Sequence, residues 1–356
     1  MSKGPLPGIR LIEVVAMTVM TRREFLRALT GGLMLLQFPL QLDSRAQRAK
    51  SVVALVKATA EGRREGIRAA VALLDFPAGT FSGKEVVLKP NFNSAHPFPS
   101  STHNDTLAAL VELLQEGGAK KITVADRSGM GIGITRAVMK AKDIFGLAER
   151  MGFEAVPIDD LLAEEWEHLP LRGSHWRRGV ELPKLFLQAD SIVQTCCLKT
   201  HRFGGVFTMS LKNSVGMVAR YSVKDGYDYM RELHTSPHMQ EMIAELNLLY
   251  EPELIVMDAL EAFVRGGPET GARESPGVIL ASQDRVALDA VGVAILRLYR
   301  TTRTVARGKI FEQTQIRRAV ELGLGASSPE EIELHPAADP ESQAFAERVR
   351  EVLSQG

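Results

Sequence analysis

Cysteine is almost missing from this chain of 356 residues; the two present, Cys196 and Cys197, are adjacent. Their Cα atoms lie about 3.8 Å apart across a trans peptide, closer than an unstrained disulfide prefers. A disulfide framework is excluded, the pair is expected to stay reduced, and an iron–sulfur cluster held by four cysteines of this chain is excluded. Net charge is missing too. Lys and Arg total 43 against 43 for Asp and Glu, so nothing demands nucleic acid or an anionic membrane as a partner. There is no Walker P-loop, no paired C-x-x-C and no H-E-x-x-H. Gly129-x-Gly131-x-Gly133 misplaces the third glycine of a dinucleotide fingerprint. After residue 46 no apolar run is long enough to span a membrane.

What is present is a globular composition, 45% hydrophobic and 24% charged, unlike that of a disordered chain. Arg22-Arg23 precede a short apolar stretch from Ala28 to Leu42, broken by Gly31, Gly32 and Pro39. Ser44-Arg45-Ala46 then offers a small-x-small cleavage site. Residues 1–46 therefore read as a twin-arginine signal, with Met17 or Met20 as alternative starts of translation. A basic amphipathic helix of the folded domain is the competing reading. The signal implies the twin-arginine translocation machinery as a partner and export to the periplasm or cell envelope. Residues 47–356 then form a single domain, with room for a small inserted subdomain over 160–250.

Along the mature chain, strand-like runs at Val52–Lys57, Glu85–Leu88, Lys121–Ala125, Ala155–Ile158, Ser191–Thr195, Glu253–Met257 and Gly277–Ala281 alternate with helical periodicity. The helical segments are Glu65–Leu74, Asp105–Gln115 with Asn104 or Asp105 as cap, Thr135–Met151, Ser210–Val218, Pro237–Tyr250 and Arg285–Tyr299. Residues 160–185, with Trp166 and Trp176 among Arg, Gly and Pro, suggest a hairpin or insertion, and Ile332–Leu334 a last short strand. This alternation predicts a three-layer α/β fold, a mostly parallel sheet with helices on both faces.

Polar residues recur just past the strands: Lys89-Pro90-Asn91, Asp126-Arg127-Ser128-Gly129, Lys199-Thr200-His201, Asp258 and Asp284. In an open parallel sheet ligands bind at the carboxyl ends of the strands, where helix N-termini also favour anions. Lys89, Lys199, His201 and Lys212 would gather positive charge there. Asn91, Thr200 and Asn213 would add donors and acceptors, and Asp126, His201 and Asp258 would be the acid–base candidates. The expectation is one concave pocket for a small anionic ligand bearing phosphate or carboxylate. The plainer readings are solvated loop lysines, Asp126 and Asp258 as caps, a core face at Met239 and Met242, and cysteines split between core and rim. Cys197, His201 and Asp258 are ligand types for a metal, which the sequence leaves open.

At Val86–Asn91, Val124–Ser128, Cys197–His201 and Ser210–Asn213 the chain resembles the family called domain of unknown function 362. Asp258, Gly266-Gly267-Pro268 and Ser282–Asp284 extend the resemblance over roughly residues 52–300. It implies little mechanism. Some relatives carry ferredoxin-like cysteine clusters, which this chain lacks. Two functional readings follow: an enzyme acting on a small anionic substrate, and a non-catalytic carrier of an anionic ligand or cofactor in the cell envelope.

Overall fold

The computed structural model describes residues 50–129 and 133–355; the twin-arginine segment and Gly131 lie outside these residues. The strands are β1 (Ser51–Lys57), β2 (Glu85–Lys89), β3 (Lys121–Asp126), β4 (Glu154–Pro157), β5 (Trp166–Leu169), β6 (Val180–Pro183), β7 (Ser191–His201), β8 (Val206–Thr208), β9 (Leu254–Gly266), β10 (Gly271–Glu274), β11 (Val278–Ser282) and β12 (Ile332–Pro336). The helices are α1 (Arg63–Ala72), α2 (Asn104–Glu116), α3 (Thr135–Ala141), α4 (Ile144–Met151), α5 (Lys184–Gln188), α6 (Ser210–Asn213), α7 (Tyr229–Thr235), α8 (Met239–Leu246), α9 (Arg285–Leu298), α10 (Arg303–Ala306), α11 (Thr314–Glu321) and α12 (Pro340–Ser354).

Among the described residues ten strands make one sheet, in the order β12-β1-β11-β9-β7-β2-β3-β4, with β10 on β9 and β8 on β7. The run from β9 through β7, β2 and β3 to β4 is parallel. β11 is antiparallel to both its neighbours. Alternation along each strand feeds two cores. Val193 and Cys197, with Val86, Leu88, Val124, Val256 and Ile279, pack under α1 to α4. Cys196 and Leu198, with Leu55, Met257 and Leu280, pack under α9, α11 and α12. Val87, Ala125 and Ile192 take their cover from the segment around the β5–β6 hairpin, α7 and α8. The fold is the expected three-layer α/β arrangement, both faces covered as the buried parallel strands require. The span 160–250 also supplies β7, at the centre of the sheet, so it builds the main layer as well as covering it.

Several expectations about ends need correction. β7 does not stop at Thr195. It runs on to His201, because the returning β8 pairs Lys199 with Thr208 and His201 with Val206. β9 does not end at Asp258 but continues to Gly266, and β10 folds back along it. Since β11 is antiparallel, its carboxyl end faces the opposite rim. Asp284 there caps α9, accepting from Val286 N at 2.7 Å and Ala287 N at 3.0 Å, and belongs to no shared site with Lys89. The cap of α2 is His103, whose Nδ1 accepts from Asp105 N at 3.1 Å, and neither Asn104 nor Asp105. Cys196 and Cys197 point to opposite faces, but neither reaches the rim. Both are buried and free, and burial lifts the Cys197 thiol to about 11, so it is an inert core group. Trp176 anchors its segment, donating Nε1–H to Met242 O at 3.0 Å.

Candidate functional site

The carboxyl ends of β2, β3 and β7 bring the predicted residues together in small clusters rather than around one open pocket. In the first, Lys89 is fully buried. Its Nζ lies 2.6 Å from Asp126 Oδ1 and donates to Asn213 Oδ1 at 3.1 Å and Pro90 O at 2.8 Å. Asn213 uses its other end on Thr195 O at 3.0 Å. Asp126 also accepts from Phe92 N at 2.5 Å and Arg127 N at 2.8 Å. Burial lowers the lysine's pKa and raises the carboxyl's, while their mutual attraction opposes both shifts. A β-carbon on Gly216 would stand 2.8 Å from Lys89 Nζ and would also meet Asp126. Only bare backbone fits over the pair.

In the second cluster Lys199, also fully buried, donates to Asn91 Oδ1 at 2.7 Å and to Ser100 O. Asn91 and Thr102 exchange hydrogen bonds of 2.9 and 2.8 Å, so Lys199 fastens the loop after β2. It is a structural lysine and not a solvated rim residue. Thr200 is likewise occupied, its hydroxyl on Phe263 O at 3.0 Å and Gly266 O at 3.2 Å. In the third cluster Asp258 accepts from Thr106 Oγ1 at 2.6 Å and faces Arg63 Nε at 3.5 Å. Burial raises the pKa of its carboxyl, and Arg63 holds it down.

The fourth cluster lies where β7 turns into β8. A β-carbon on Gly205 would meet Lys212 Cε at 2.8 Å and His201 Nδ1 at 3.1 Å, so both side chains rest against the same bare backbone atom. His201 Nδ1 is buried with no hydrogen-bond partner. Burial, then Lys212 and Lys199, push its pKa far below the ordinary histidine value, so the ring stays neutral and does not gain and lose charge near neutral pH. Lys212 is only partly buried. Its ammonium titrates at about 8, lowered first by burial and then by Lys199 and Arg127, with Glu269 acting the other way. Glu269 also faces Arg202 at 3.3 Å and accepts from Asn93 Nδ2 at 3.4 Å.

Two cavities, of about 170 and 650 Å³, are lined elsewhere: one by Phe76, Phe81 and Leu110, the other by His175, Arg177, Tyr227 and Arg231. Among the described residues no group of three His, Cys, Asp or Glu stands together as a metal site, and no helix is long and apolar enough to cross a membrane. Sequence reasoning passed over Gly216, Glu269, Arg63 and the role of Arg127. The Arg127 guanidinium is buried and donates to Val218 O at 2.7 Å, Gly129 O at 2.7 Å and Val215 O at 3.1 Å. Gly216, Glu269 and Arg63 sit in no readable motif; Arg127 falls within Val124–Ser128, where the pattern offered only an arginine after a strand.

The fold and these clusters define an α/β protein whose buried cations and carboxylates crowd the carboxyl-end rim of a mostly parallel sheet. The chain belongs to the family described as Domain of unknown function (DUF362), whose model matches residues 86–294. It is 28% identical over 229 residues to the "Thylakoid-associated protein sll1697" of Synechocystis sp. (strain ATCC 27184 / PCC 6803 / Kazusa); the match covers 61% of this chain and 64% of that relative. A solved structure, the lactate racemase apoprotein from Thermoanaerobacterium thermosaccharolyticum, is 20% identical with a TM-score of 0.38, over 62% of this chain and 53% of that one.

Proposed function

We propose that the protein binds a small anionic ligand, phosphate- or carboxylate-bearing, at the carboxyl-end rim beside Lys212 and His201, and that it is an enzyme. The observation that carries the reading is Lys212. Its ammonium is held in a partly buried place where repulsion and desolvation lower its pKa to about 8, and a bound anion would relieve both. Perturbed titratable groups of this kind concentrate at functional sites. Beside it stands an uncharged imidazole whose Nδ1 has no hydrogen-bond partner, able to steady a bound molecule through a hydrogen bond. Lys89, Asn91, Lys199 and Asn213 act from behind, fixing the loops and the positive field. Asp126 and Asp258 are engaged with Lys89 and Arg63, which favours the second reading, a carrier that needs only the cation. The reaction type is left open by both. Titration of the full chain with inorganic phosphate tests the reading, and Lys212→Met should abolish the heat of phosphate binding. An unchanged isotherm in that variant would remove Lys212 from the site.

We further infer export by the twin-arginine route, on the strength of Arg22-Arg23 and the short apolar stretch behind them. A tagged chain with both arginines changed to Lys should stay in the cytoplasmic fraction; normal export of that variant would refute the route.

A further inference from the structure

Arg63 is buried with more donors than its neighbours satisfy. It opens α1, its exposure is 4%, and Nε and Nη1 are both buried without a hydrogen-bond partner. A guanidinium carries five N–H donors, and buried polar groups in native proteins nearly always find partners. Here Asp258 gives only a 3.5 Å ion-pair contact through Nε, and Phe98 lies under the guanidinium at 4.6 Å. Phe98 and Asp258 therefore fix the plane of the fork and its Nε side, and leave donors over.

The neighbours continue the pattern. α2 begins beside it, capped by His103, and Asn104 Nδ2 donates to Lys142 O at 2.7 Å, which draws Lys142 in. Lys142 Nζ sits 5.7 Å over the Phe92 ring. Burial, then Arg63, lower the His103 pKa, and Lys142 acts the same way. Asp105, 3.6 Å from His103 Nδ1, acts the other way on His103 and is itself engaged by Arg64 at 3.2 Å. The planar fork of Arg63 suits a carboxylate, which a guanidinium can hold through two parallel bonds.

We infer that Arg63 and Lys142 form a carboxylate-binding site between the N-termini of α1 and α2, separate from the Lys212 locus. The inference does not rest on the Lys212 reading. The test uses the full chain in a Lys212→Met background, so that only this locus is read, with sodium propionate as the probe. Calorimetric titration should show binding that Arg63→Lys weakens at least 10-fold, since a lysine keeps the charge and loses the fork. Lys142→Met, at a position still partly exposed, should weaken propionate binding several-fold without affecting the fold, and it serves as the test should Arg63→Lys fail to fold. Propionate binding equal in the parent and both variants, or its absence from the parent, overturns the site.

Discussion

Lys199 and Lys212 carry the same charge thirteen positions apart and meet opposite circumstances. Lys199 is buried and bonded to Asn91 and Ser100; removing it strands those acceptors. Lys199→Met should lower stability by about 2–4 kcal/mol, in the range for unpairing buried polar groups. This reverses the expectation for a rim lysine, and chemical denaturation measures it; a loss below about 0.5 kcal/mol would return Lys199 to the surface class. Lys212 should behave in the other sense. Its folded pKa of about 8 lies below the ordinary lysine value of 10.5, so the unfolded chain binds more protons between those values and stability rises with pH across that window. Lys212→Met should therefore stabilise the protein below pH 8, by about 1–3 kcal/mol, with the gain fading toward pH 10.5. A destabilised variant at pH 7 would show that Lys212 supports the fold and does not strain it.

At the scale of elements, alternation of strand and helix was legible because burial imposes a period of 2 on one and 3.6 on the other. The layers followed from it, as did a helix over Arg285–Tyr299, which the structure ends at Leu298; of the hairpin or insertion expected over 160–185, the β5–β6 hairpin is present. Strand ends were not legible. β7 and β9 outrun their apolar runs because β8 and β10 pair with the extra length, and a partner distant in sequence leaves no local mark. The direction of β11 was hidden for the same reason, and with it the rim on which Asp284 falls. Polar residues at the ends of β2 and β3 were correctly placed, whereas their buried pairing was invisible, since a lysine after a strand reads the same whether solvated or not. Gly216 shows what the pairing demands of a neighbouring element. Gly216→Ala would press a methyl against Lys89 and Asp126, and we expect a loss of at least about 2 kcal/mol, the scale of overpacking in a tight core. A thermal melt equal to that of the parent would mean that the segment over the pair shifts freely.

Across the whole molecule, the parallel strands face their carboxyl ends to one rim, where burial and neighbouring cations lower the Lys212 pKa to about 8. Anion binding that draws on Lys212 must be coupled to its protonation. Affinity should fall up to tenfold for each unit above pH 8, because the deprotonated amine no longer attracts the ligand. The direct measurement is calorimetric titration of the full chain with inorganic phosphate from pH 6.5 to 9.5, beside Lys212→Met. The account predicts binding that weakens through pH 8 in the parent and is absent from the variant. Phosphate binding of equal strength in both proteins, or no binding to the parent at any pH, would contradict it.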